Sequence, residues 1–247
     1  MTLSPIQREI LDVLAMVRPY DAAIPKIRVG GPFDGGYVIN DDLEGMGTAL
    51  CLGVGNDVSF DLDLAQRGIH VIQYDPNVGE LPQQHPLFHF RKMAWGDVTE
   101  GNARTLGAIL AADGLQNEHD MLLKFDVEGA EWNALMATRA DLLAKFRIIT
   151  AEFHCLESIG IPAVRKQMRH AFALLTENHV PTHIHPNSTQ GVVLIEGIVV
   201  PKLLEVSFLR SDRSPFIPSI APIPGPLDAA NADGAPDMVL TPFSHGL

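Results

Sequence analysis

Two apolar runs joined by a glycine turn and a helical segment constrain the fold of this chain more than any other feature. The first run ends at Leu52 and is followed by Gly-Val-Gly-Asn-Asp at 53–57, and the second, residues 69–74, ends on the acidic Asp75. Strand, glycine turn, helix, strand and acid together are typical of an α/β sheet that holds an adenosine-bearing cofactor. The glycines let the backbone approach the ligand, while the carboxylate accepts hydrogen bonds from ribose hydroxyls.

The turn favours one class of cofactor over another. A dinucleotide-binding turn carries a third glycine where helix and strand pack closely, but here that position is Val58. Asp57 in the turn would repel a pyrophosphate, whereas S-adenosylmethionine (SAM) has a cationic sulfonium and no phosphate. The segment therefore favours SAM, although a Gly-x-Gly turn between two structural elements also occurs without any ligand.

The composition limits the partners of the chain. Its 247 residues are 46% hydrophobic, which is enough for a substantial core, and its net charge is −12. Phosphate binding needs a basic surface, so we expect a small-molecule or glycan partner and no nucleic acid. We expect no membrane span, because no apolar run reaches about 18 residues, and no signal peptide. The two cysteines, Cys51 and Cys155, form no disulfide framework, so we expect a cytoplasmic location.

Strands and helices alternate along the chain, which predicts a mostly parallel α/β sheet with helices on both faces. The predicted strands are residues 48–53, 69–74, 87–91, 120–125, 146–153 and 180–185. The predicted helices are residues 4–17, 58–67, 102–112, 131–144 and 162–178. Two later runs, 192–200 and 203–209, are joined by too short a connection for a crossover and predict an antiparallel closing pair.

Three regions follow from this pattern. Residues 1–27 are a helical extension, with Ser4 as the N-cap of the first helix. Residues 28–213 are the sheet domain, which opens with a glycine-rich loop at 28–37. Prolines recur and periodicity is lost over 214–247, so we predict an extended or poorly ordered tail there.

Polar residues at the ends of the predicted strands are the candidates for chemistry, because ligands of open α/β sheets bind beyond the carboxyl ends of the strands. Asp126 ends one apolar strand, and Glu152, followed by His154, ends the next. His185 lies at the end of a later strand. An ordinary alternative for Asp126 is the N-cap of the following helix, with Glu131 favouring the positive end of that helix.

The segment Lys124–Trp132, Lys-Phe-Asp-Val-Glu-Gly-Ala-Glu-Trp, resembles the hallmark segment of the FkbM-type SAM-dependent methyltransferases. The Asp34–Tyr37 loop and the stretch Pro201–Arg210 are also similar to parts of such domains, so the resemblance covers residues 28–213. It implies a Rossmann-like methyltransferase fold and O-methylation of a hydroxyl on a sugar or related natural product, often in surface-polysaccharide pathways. One departure is Asn187-Ser188, where two asparagines are expected.

The resemblance also implies roles for individual residues. Asp75 would hold the ribose of the cofactor. The methionine part would lie against Gly53, Gly55 and Asn56. The adenine would lie against Ala94, Trp95 and Asp97. Plainer alternatives are a core position for Trp95 and a turn or capping acid for Asp97.

Methyl transfer to an aliphatic hydroxyl needs alignment of the acceptor and removal of its proton, because such a hydroxyl does not ionise at neutral pH. We predict His154 or Asp126 as the catalytic base. Alternatively, Asp126, Glu152 and His154 bind Mg²⁺ or Mn²⁺, which lowers the pKa of the hydroxyl. The candidate acceptor contacts are Asp34, Tyr37, His185 and Arg210. Arg210 is equally explained as a solvated strand end.

Two other functions compete with methyl transfer. One is an NAD-dependent dehydrogenase or epimerase, and the other is a non-catalytic nucleoside-binding module. The missing third glycine argues against the first, as does the lack of Lys four residues after Tyr20, Tyr37 or Tyr74. A non-catalytic nucleoside-binding module would not explain the polar residues at the strand ends.

Overall fold

Strands and helices alternate in the computed structural model, which describes residues 3–234 and 236–240. The helices are α1 (Pro5–Leu14), α2 (Ser59–Gln66), α3 (Leu106–Ala112), α4 (Glu131–Met136), α5 (Ala140–Leu143) and α6 (Pro162–Thr176). The strands are β1 (Tyr20–Ala22), β2 (Lys26–Val29), β3 (Tyr37–Asn40), β4 (Thr48–Leu52), β5 (His70–Tyr74), β6 (Phe88–Arg91), β7 (Ala94–Trp95), β8 (Ala103–Arg104), β9 (Met121–Phe125), β10 (Phe146–Phe153), β11 (His179–Pro186), β12 (Val192–Ile195), β13 (Ile198–Pro201), β14 (Leu204–Arg210) and β15 (Phe216–Pro218). Short 3-10 helices occupy Ala15–Val17 and Leu156–Gly160.

A seven-stranded sheet forms the centre of the molecule, in the order β11-β14-β10-β9-β4-β5-β6. Its neighbouring strands are parallel except at β14, which is antiparallel to both β10 and β11. The predicted class, a mostly parallel α/β sheet with an antiparallel closing strand, is confirmed. Because β14 lies inside the sheet, its first residues are beside the last residues of β10 and β11.

Alternate residues of each strand bury opposite faces of the sheet, as the strand period of two requires. In β4, Leu50 and Leu52 join the core shared with α1, α3 and α6, whereas Ala49 and Cys51 join the core beneath α2 and the β2–β3 hairpin. Helices therefore cover both faces, as predicted. Within the described part of the chain, none of the helices has the length and apolar character that crossing a membrane requires.

The first helix begins where the sequence predicts. Ser4 Oγ accepts a hydrogen bond from Gln7 N, and Gln7 Oε1 accepts one from Ser4 N, which together form a capping box. Ile10 and Val13 of this helix are buried in the same core as Phe172 of α6. The helical extension therefore shares the core of the sheet domain.

Two helices differ from the prediction. The helix expected over 131–144 is two helices, because α4 ends at its C-cap Ala137 and Arg139 is extended, with φ −101° and ψ 147°, before α5. The helix expected from residue 102 begins later, because Thr105 is its N-cap and β8, just before it, pairs with β7.

The later strands differ as well. The run 192–200 is a hairpin of β12 and β13 that turns at Glu196 and Gly197, whose φ values are +51° and +81°. The pairing expected for residues 203–209 is therefore wrong, because β14 pairs with β10 and β11 instead. The loop expected at 28–37 is shorter, because β2 and β3 pair on either side of it.

The described part of the tail, predicted to be extended or poorly ordered, is mostly irregular and packs against the sheet domain. β15 pairs with β1, and Asp228 Oδ1 lies 2.7 Å from His183 Nε2 of β11. Ile223 and Leu240 are buried in the core. The predicted tail also includes residues 235 and 241–247, which lie outside the described residues.

Candidate active site

The glycine turn after β4 touches the end of β9 directly. Gly53 has a φ of +84°, and a Cβ atom on it would overlap the carbonyl oxygen of Asp126. Lys124 Nζ donates a hydrogen bond to the Gly53 carbonyl oxygen at 3.1 Å. Because only glycine fits this contact, the turn packs directly against the strand end that carries Asp126.

Asp75 holds the other side of the turn. Its Oδ2 accepts hydrogen bonds from Val54 N (3.0 Å) and Gly55 N (3.1 Å), and its Oδ1 accepts from Asn77 N (2.7 Å) and Val78 N (3.1 Å). Burial alone would raise the pKa of this carboxyl, but the four backbone N–H donors lower it. Asp75 is therefore ionised, and a ribose hydroxyl would have to share or replace one of these donors.

The other residues expected around the cofactor differ in exposure. Asn56 and Asp97 are exposed, and a Cβ atom on Gly55 would meet no atom within 4 Å, so space is open beside the turn. Ala94 is half-buried. Trp95 is buried, with its ring centroid 5.2 Å from that of Phe125. Trp95 therefore occupies a core position, which is the plainer of the two alternatives.

Asp126, Glu152 and His154 meet at the ends of β9 and β10. His154 Nε2 lies 3.7 Å from Asp126 Oδ1 and 3.5 Å from Glu152 Oε2. One potential ligand atom of each residue lies within 4.8 Å of the other two. The adjacent strand ends thus bring these three side chains into one group, which we call the acid–histidine cluster.

His154 is surrounded by four carboxyl groups. Besides those of Asp126 and Glu152, Glu128 Oε2 lies 3.4 Å from its Nε2, and the buried Glu131 Oε1 lies 3.3 Å from its Nδ1. Burial alone would lower the pKa of His154, but the hydrogen bond to Glu131 and the surrounding charges raise it. These carboxyl groups stabilise the imidazolium that His154 would become on accepting a proton, and its predicted role as the base stays a prediction.

Glu152 is the buried acid of the cluster. Burial, and then repulsion from Asp126 and Glu205, raises the pKa of Glu152 to about 10. Asn187 Nδ2 donates a hydrogen bond to its Oε1 at 2.8 Å. At neutral pH, Glu152 therefore carries a proton and can donate a hydrogen bond.

Asp126 is the most accessible member of the cluster, with 26% of its side chain exposed. The Tyr37 hydroxyl lies 3.5 Å and Lys124 Nζ 3.9 Å from its Oδ2. Its Oδ1 is buried and has no hydrogen-bond partner among residues 3–234 and 236–240. A buried carboxylate oxygen without a partner is costly, so Oδ1 needs a donor, which the protonated Glu152 beside it, a water or a ligand can supply.

Three of the four predicted acceptor contacts lie on this side of the sheet. Tyr37 reaches Asp126, and Asp34 Oδ1 accepts a hydrogen bond from Asn187 Nδ2 at 3.3 Å. His185 is buried further along the sheet, and its Nδ1 lies 3.2 Å from Glu205 Oε2. In the strand register, Glu205 lies directly opposite both Glu152 and His185.

Arg210 lies elsewhere. It is opposite His179, at the start of β11, and therefore at the far end of the sheet from Asp126. Its guanidinium forms ion pairs with Asp120 (2.7 Å) and Asp212 (2.8 Å). The prediction that Arg210 contacts the acceptor does not fit this position, and the plainer alternative of a strand-end residue does.

Three residues around the cluster were not predicted from the sequence as part of the site. Lys124 is a single charge within an apolar strand, and Glu205 alternates with buried apolar residues of β14, so both carried a signal. Asn231, which donates a hydrogen bond to Glu205 Oε1 at 2.6 Å, had none, because it lies in a segment without periodicity.

Comparisons with known proteins identify the family of this chain. The sequence model of the methyltransferase FkbM domain matches residues 37–178, more than half of the chain. A search of curated proteins finds no match. Among solved structures, a candidate RNA methyltransferase from Pyrococcus horikoshii is similar at 13% identity and a TM-score of 0.36, covering 68% of this chain and 76% of that one. A structure described by the conversion of a disulfide bond into a thioacetal group during echinomycin biosynthesis has 14% identity and a TM-score of 0.35, covering 68% and 78%. From the family match, this chain belongs to the FkbM methyltransferase domain family.

Proposed function

We propose that the chain is a SAM-dependent O-methyltransferase that acts on a hydroxyl of a sugar or related natural product, with surface polysaccharides as the first candidates. Membership of the FkbM family implies SAM as methyl donor and favours methyl transfer over the nicotinamide and non-catalytic alternatives. The observation that carries the proposal is the contact between Gly53 and Asp126. It joins the expected cofactor turn to the acid–histidine cluster.

In this proposal the cofactor lies over the glycine turn. Asp75 would hold its ribose. Its methionine part would be held by Gly53, Gly55 and Asn56, and its adenine would lie toward Ala94, Trp95 and Asp97. The open space beside Gly55 supports a ligand there. When bound, SAM supplies an electrophilic methyl group on a sulfonium, and the carboxylates of the cluster would favour that positive charge.

Asp126 is the residue we assign to proton removal. Its carboxylate is the most exposed of the cluster, and its Oδ1 lacks a hydrogen-bond partner within the described residues, so this carboxylate is the group best placed to accept the hydroxyl proton of an acceptor. Glu152, which carries a proton at neutral pH, would donate a hydrogen bond that orients the hydroxyl oxygen, and a ring N–H of His154 would donate a second one. Tyr37 and Asp34 would contact the acceptor nearby, and His185 would act further from the reacting atoms.

The same cluster fits a divalent cation. Two carboxyl groups and one imidazole present ligand atoms within 4.8 Å of one another, and Asp126 Oδ1 is a buried oxygen without a partner in the described chain. Asp126, Glu152 and His154 would hold Mg²⁺ or Mn²⁺, which requires Glu152 as a carboxylate and His154 as a neutral imidazole, so any proton on either group would be released on binding. A bound cation would lower the pKa of the acceptor hydroxyl.

The charge of the protein supports a small-molecule or glycan acceptor. The net charge is −12, and Asp34, Asp126, Glu128 and Glu205 surround the proposed acceptor side. A nucleic acid would be repelled by such a surface. A cytoplasmic location is part of this proposal, based on the low cysteine count.

Calorimetric titration with SAM and, separately, with NADH tests the cofactor. We expect SAM to bind and NADH not to bind. A chain that binds NADH and not SAM would disprove the proposal.

Methylation of hydroxylated glycans, detected by mass spectrometry as the gain of one methyl group, tests the acceptor. Turnover is then measured with EDTA, and again after addition of Mg²⁺ or Mn²⁺. Loss and recovery support the metal, whereas unchanged turnover in EDTA leaves Asp126 as a base acting without one. The Asp141→Asn variant, at an exposed acid in α5, controls for a general change of charge.

A further inference from the structure

The C-terminal segment crosses the acceptor side of the sheet and is fastened there by polar contacts. We call the described residues 225–234 and 236–237 the strap. Near its start, Asp228 Oδ1 lies 2.7 Å from His183 Nε2, and near its end, Asp237 Oδ1 lies 2.9 Å from His185 Nε2. Both histidines are on the same face of β11, because they are two residues apart in a strand. The strap is thus attached to the sheet at two points, with Asn231 between them.

Asn231 is buried and makes four hydrogen bonds to three separate parts of the site. Its Nδ2 donates to Glu205 Oε1 at 2.6 Å, and its Oδ1 accepts from Ser188 N at 3.0 Å. Its backbone N–H donates to Ser188 Oγ at 3.2 Å, and its carbonyl oxygen accepts from Asp34 N at 3.1 Å. One residue of the strap therefore joins the 30–36 loop, the turn at 187–189 and β14.

These three parts converge on the acid–histidine cluster. Asn187 Nδ2 donates to both Glu152 Oε1 and Asp34 Oδ1. Glu205 lies opposite Glu152 in the register, and its second oxygen lies 3.2 Å from His185 Nδ1. Asn231 is uncharged and does not neutralise Glu205. Its amide instead holds the Glu205 carboxylate in one orientation through a directional hydrogen bond.

We propose that Asn231 is a positioning residue for the acceptor, so that the strap contributes to acceptor binding. The proposal rests on the proposed methyltransferase function. Asn231 holds the loop with Asp34, the turn with Asn187 and the carboxylate of Glu205 in the arrangement that the acceptor meets. The 30–36 loop lies beside Asp57 of the glycine turn, but Asn231 itself makes its hydrogen bonds to Asp34, Ser188 and Glu205, so we expect SAM affinity to be kept when its side chain changes.

The Asn231→Asp variant tests the proposal with little change of shape. It keeps an oxygen for Ser188 N but places a carboxylate where the amide donated to Glu205. The double variant Asn231→Asp/Glu205→Gln restores a donor and an acceptor in reversed order. The new amide at position 205 donates across the contact, and its carbonyl oxygen still faces His185. Asp233→Ala, at an exposed strap residue, is the matched control.

Three measurements are made on the full-length chain. Hydrogen–deuterium exchange of residues 30–36 and 187–191 reports their order without any ligand. Calorimetry reports SAM affinity. Turnover with the glycan methylated in the screen reports KM and kcat separately. For Asn231→Asp we expect faster exchange in both segments, unchanged SAM affinity and an acceptor KM raised about tenfold, the size of one lost hydrogen bond to a charged group.

The double variant should bring exchange and KM back toward those of the wild type, and Asp233→Ala should match the wild type throughout. Wild-type exchange and KM in Asn231→Asp would overturn the inference, and so would a loss that the double variant does not recover. If Asn231→Asp does not fold, Asn231→Ser removes the amide without adding charge and is measured in its place. Failure of the wild type to bind SAM would contradict the proposed function, while the exchange data would still decide whether Asn231 orders the two segments.

Discussion

The cofactor side and the acceptor side of the site are built from different kinds of contact. On the cofactor side, Asp75 accepts hydrogen bonds from four backbone N–H groups, all within about one strand–turn–strand unit. On the acceptor side, side chains far apart in sequence hold one another, such as Asn187 with Glu152 and Asn231 with Glu205. Backbone contacts survive many substitutions, whereas a buried side-chain network depends on each member. The two sides should therefore respond differently to mutation.

The largest effect is expected where the two sides touch. Gly53→Ala would place a methyl group against the carbonyl oxygen of Asp126, at a φ of +84° that L residues rarely adopt. We expect SAM affinity to fall about 100-fold or more, or the folded protein to be lost. Gly55 also has a positive φ, +61°, but its surroundings are open, so Gly55→Ala should cost only about 1 kcal/mol of stability. Thermal denaturation and calorimetry distinguish the two variants, and equal behaviour would break the comparison.

A large effect confined to turnover is expected at Asp126. Asp126→Asn keeps the shape but removes the carboxylate that we assign to proton removal, so methyl transfer should fall by about 100-fold. His154→Ala should show a similar loss through poorer orientation of the hydroxyl. SAM affinity should survive in both variants, as measured by calorimetry. Undiminished turnover in either variant would remove that residue from the mechanism.

A moderate effect on stability is expected at His179, away from both sides of the site. Burial lowers the pKa of His179 to about 4, while its Nε2 faces the Phe146 carbonyl oxygen at 2.9 Å. The folded state therefore binds fewer protons here than the unfolded state, whose pKa is about 6.5. The stability that neutral His179 contributes is fully present above about pH 6.5 and is lost progressively as the pH falls toward 4.

Chemical denaturation at pH 7.5 and pH 5 measures this contribution. Between these two pH values, the free energy of unfolding of His179→Gln should fall by roughly 1–2 kcal/mol less than that of the wild type. His119→Gln, at an exposed loop residue, should lose as much as the wild type does. An acid response of His179→Gln equal to that of the wild type would contradict the prediction.

The smallest effect is expected at Arg210. Its ion pairs with Asp120 and Asp212 lie at the far end of the sheet and are partly exposed, so Arg210→Ala should cost about 1 kcal/mol or less. Acceptor KM should not change. A raised acceptor KM would show that Arg210 acts on the acceptor side and would contradict the distinction between the two regions.

The difference between the two sides also explains what could be predicted from the sequence. The turn at 53–57 and Asp75 are read from neighbouring residues, and the apolar runs place Asp126, Glu152 and His154 on adjacent strand ends. Side-chain networks across long separations leave no such pattern. Glu205 could be suspected from the alternation in β14, but Asn231 lies 26 residues further along the chain, in a segment that is not periodic.

Other differences have local physical causes. The strand expected over 192–200 is a hairpin, because Glu196 and Gly197 adopt positive φ in a two-residue turn that the apolar pattern does not reveal. The raised pKa of His154 depends on Glu131 and on carboxyl groups of other elements. The direction of this shift therefore follows from the folded arrangement and not from the position of His154 after β10.

The reversed direction of β14 has a consequence for how sequence length can vary in this chain. A parallel strand presents its final residues to the pocket, but β14 presents its opening residues, Leu204 and Glu205. A one-residue insertion or deletion just upstream, between the β12–β13 hairpin and β14, that shifted the register of β14 would turn Glu205 to the opposite surface of the sheet. A change of length directly after Arg210 would leave Glu205 in register and would reach the pocket only by moving the strap that carries Asn231, so the two ends of this one strand affect the pocket by different routes.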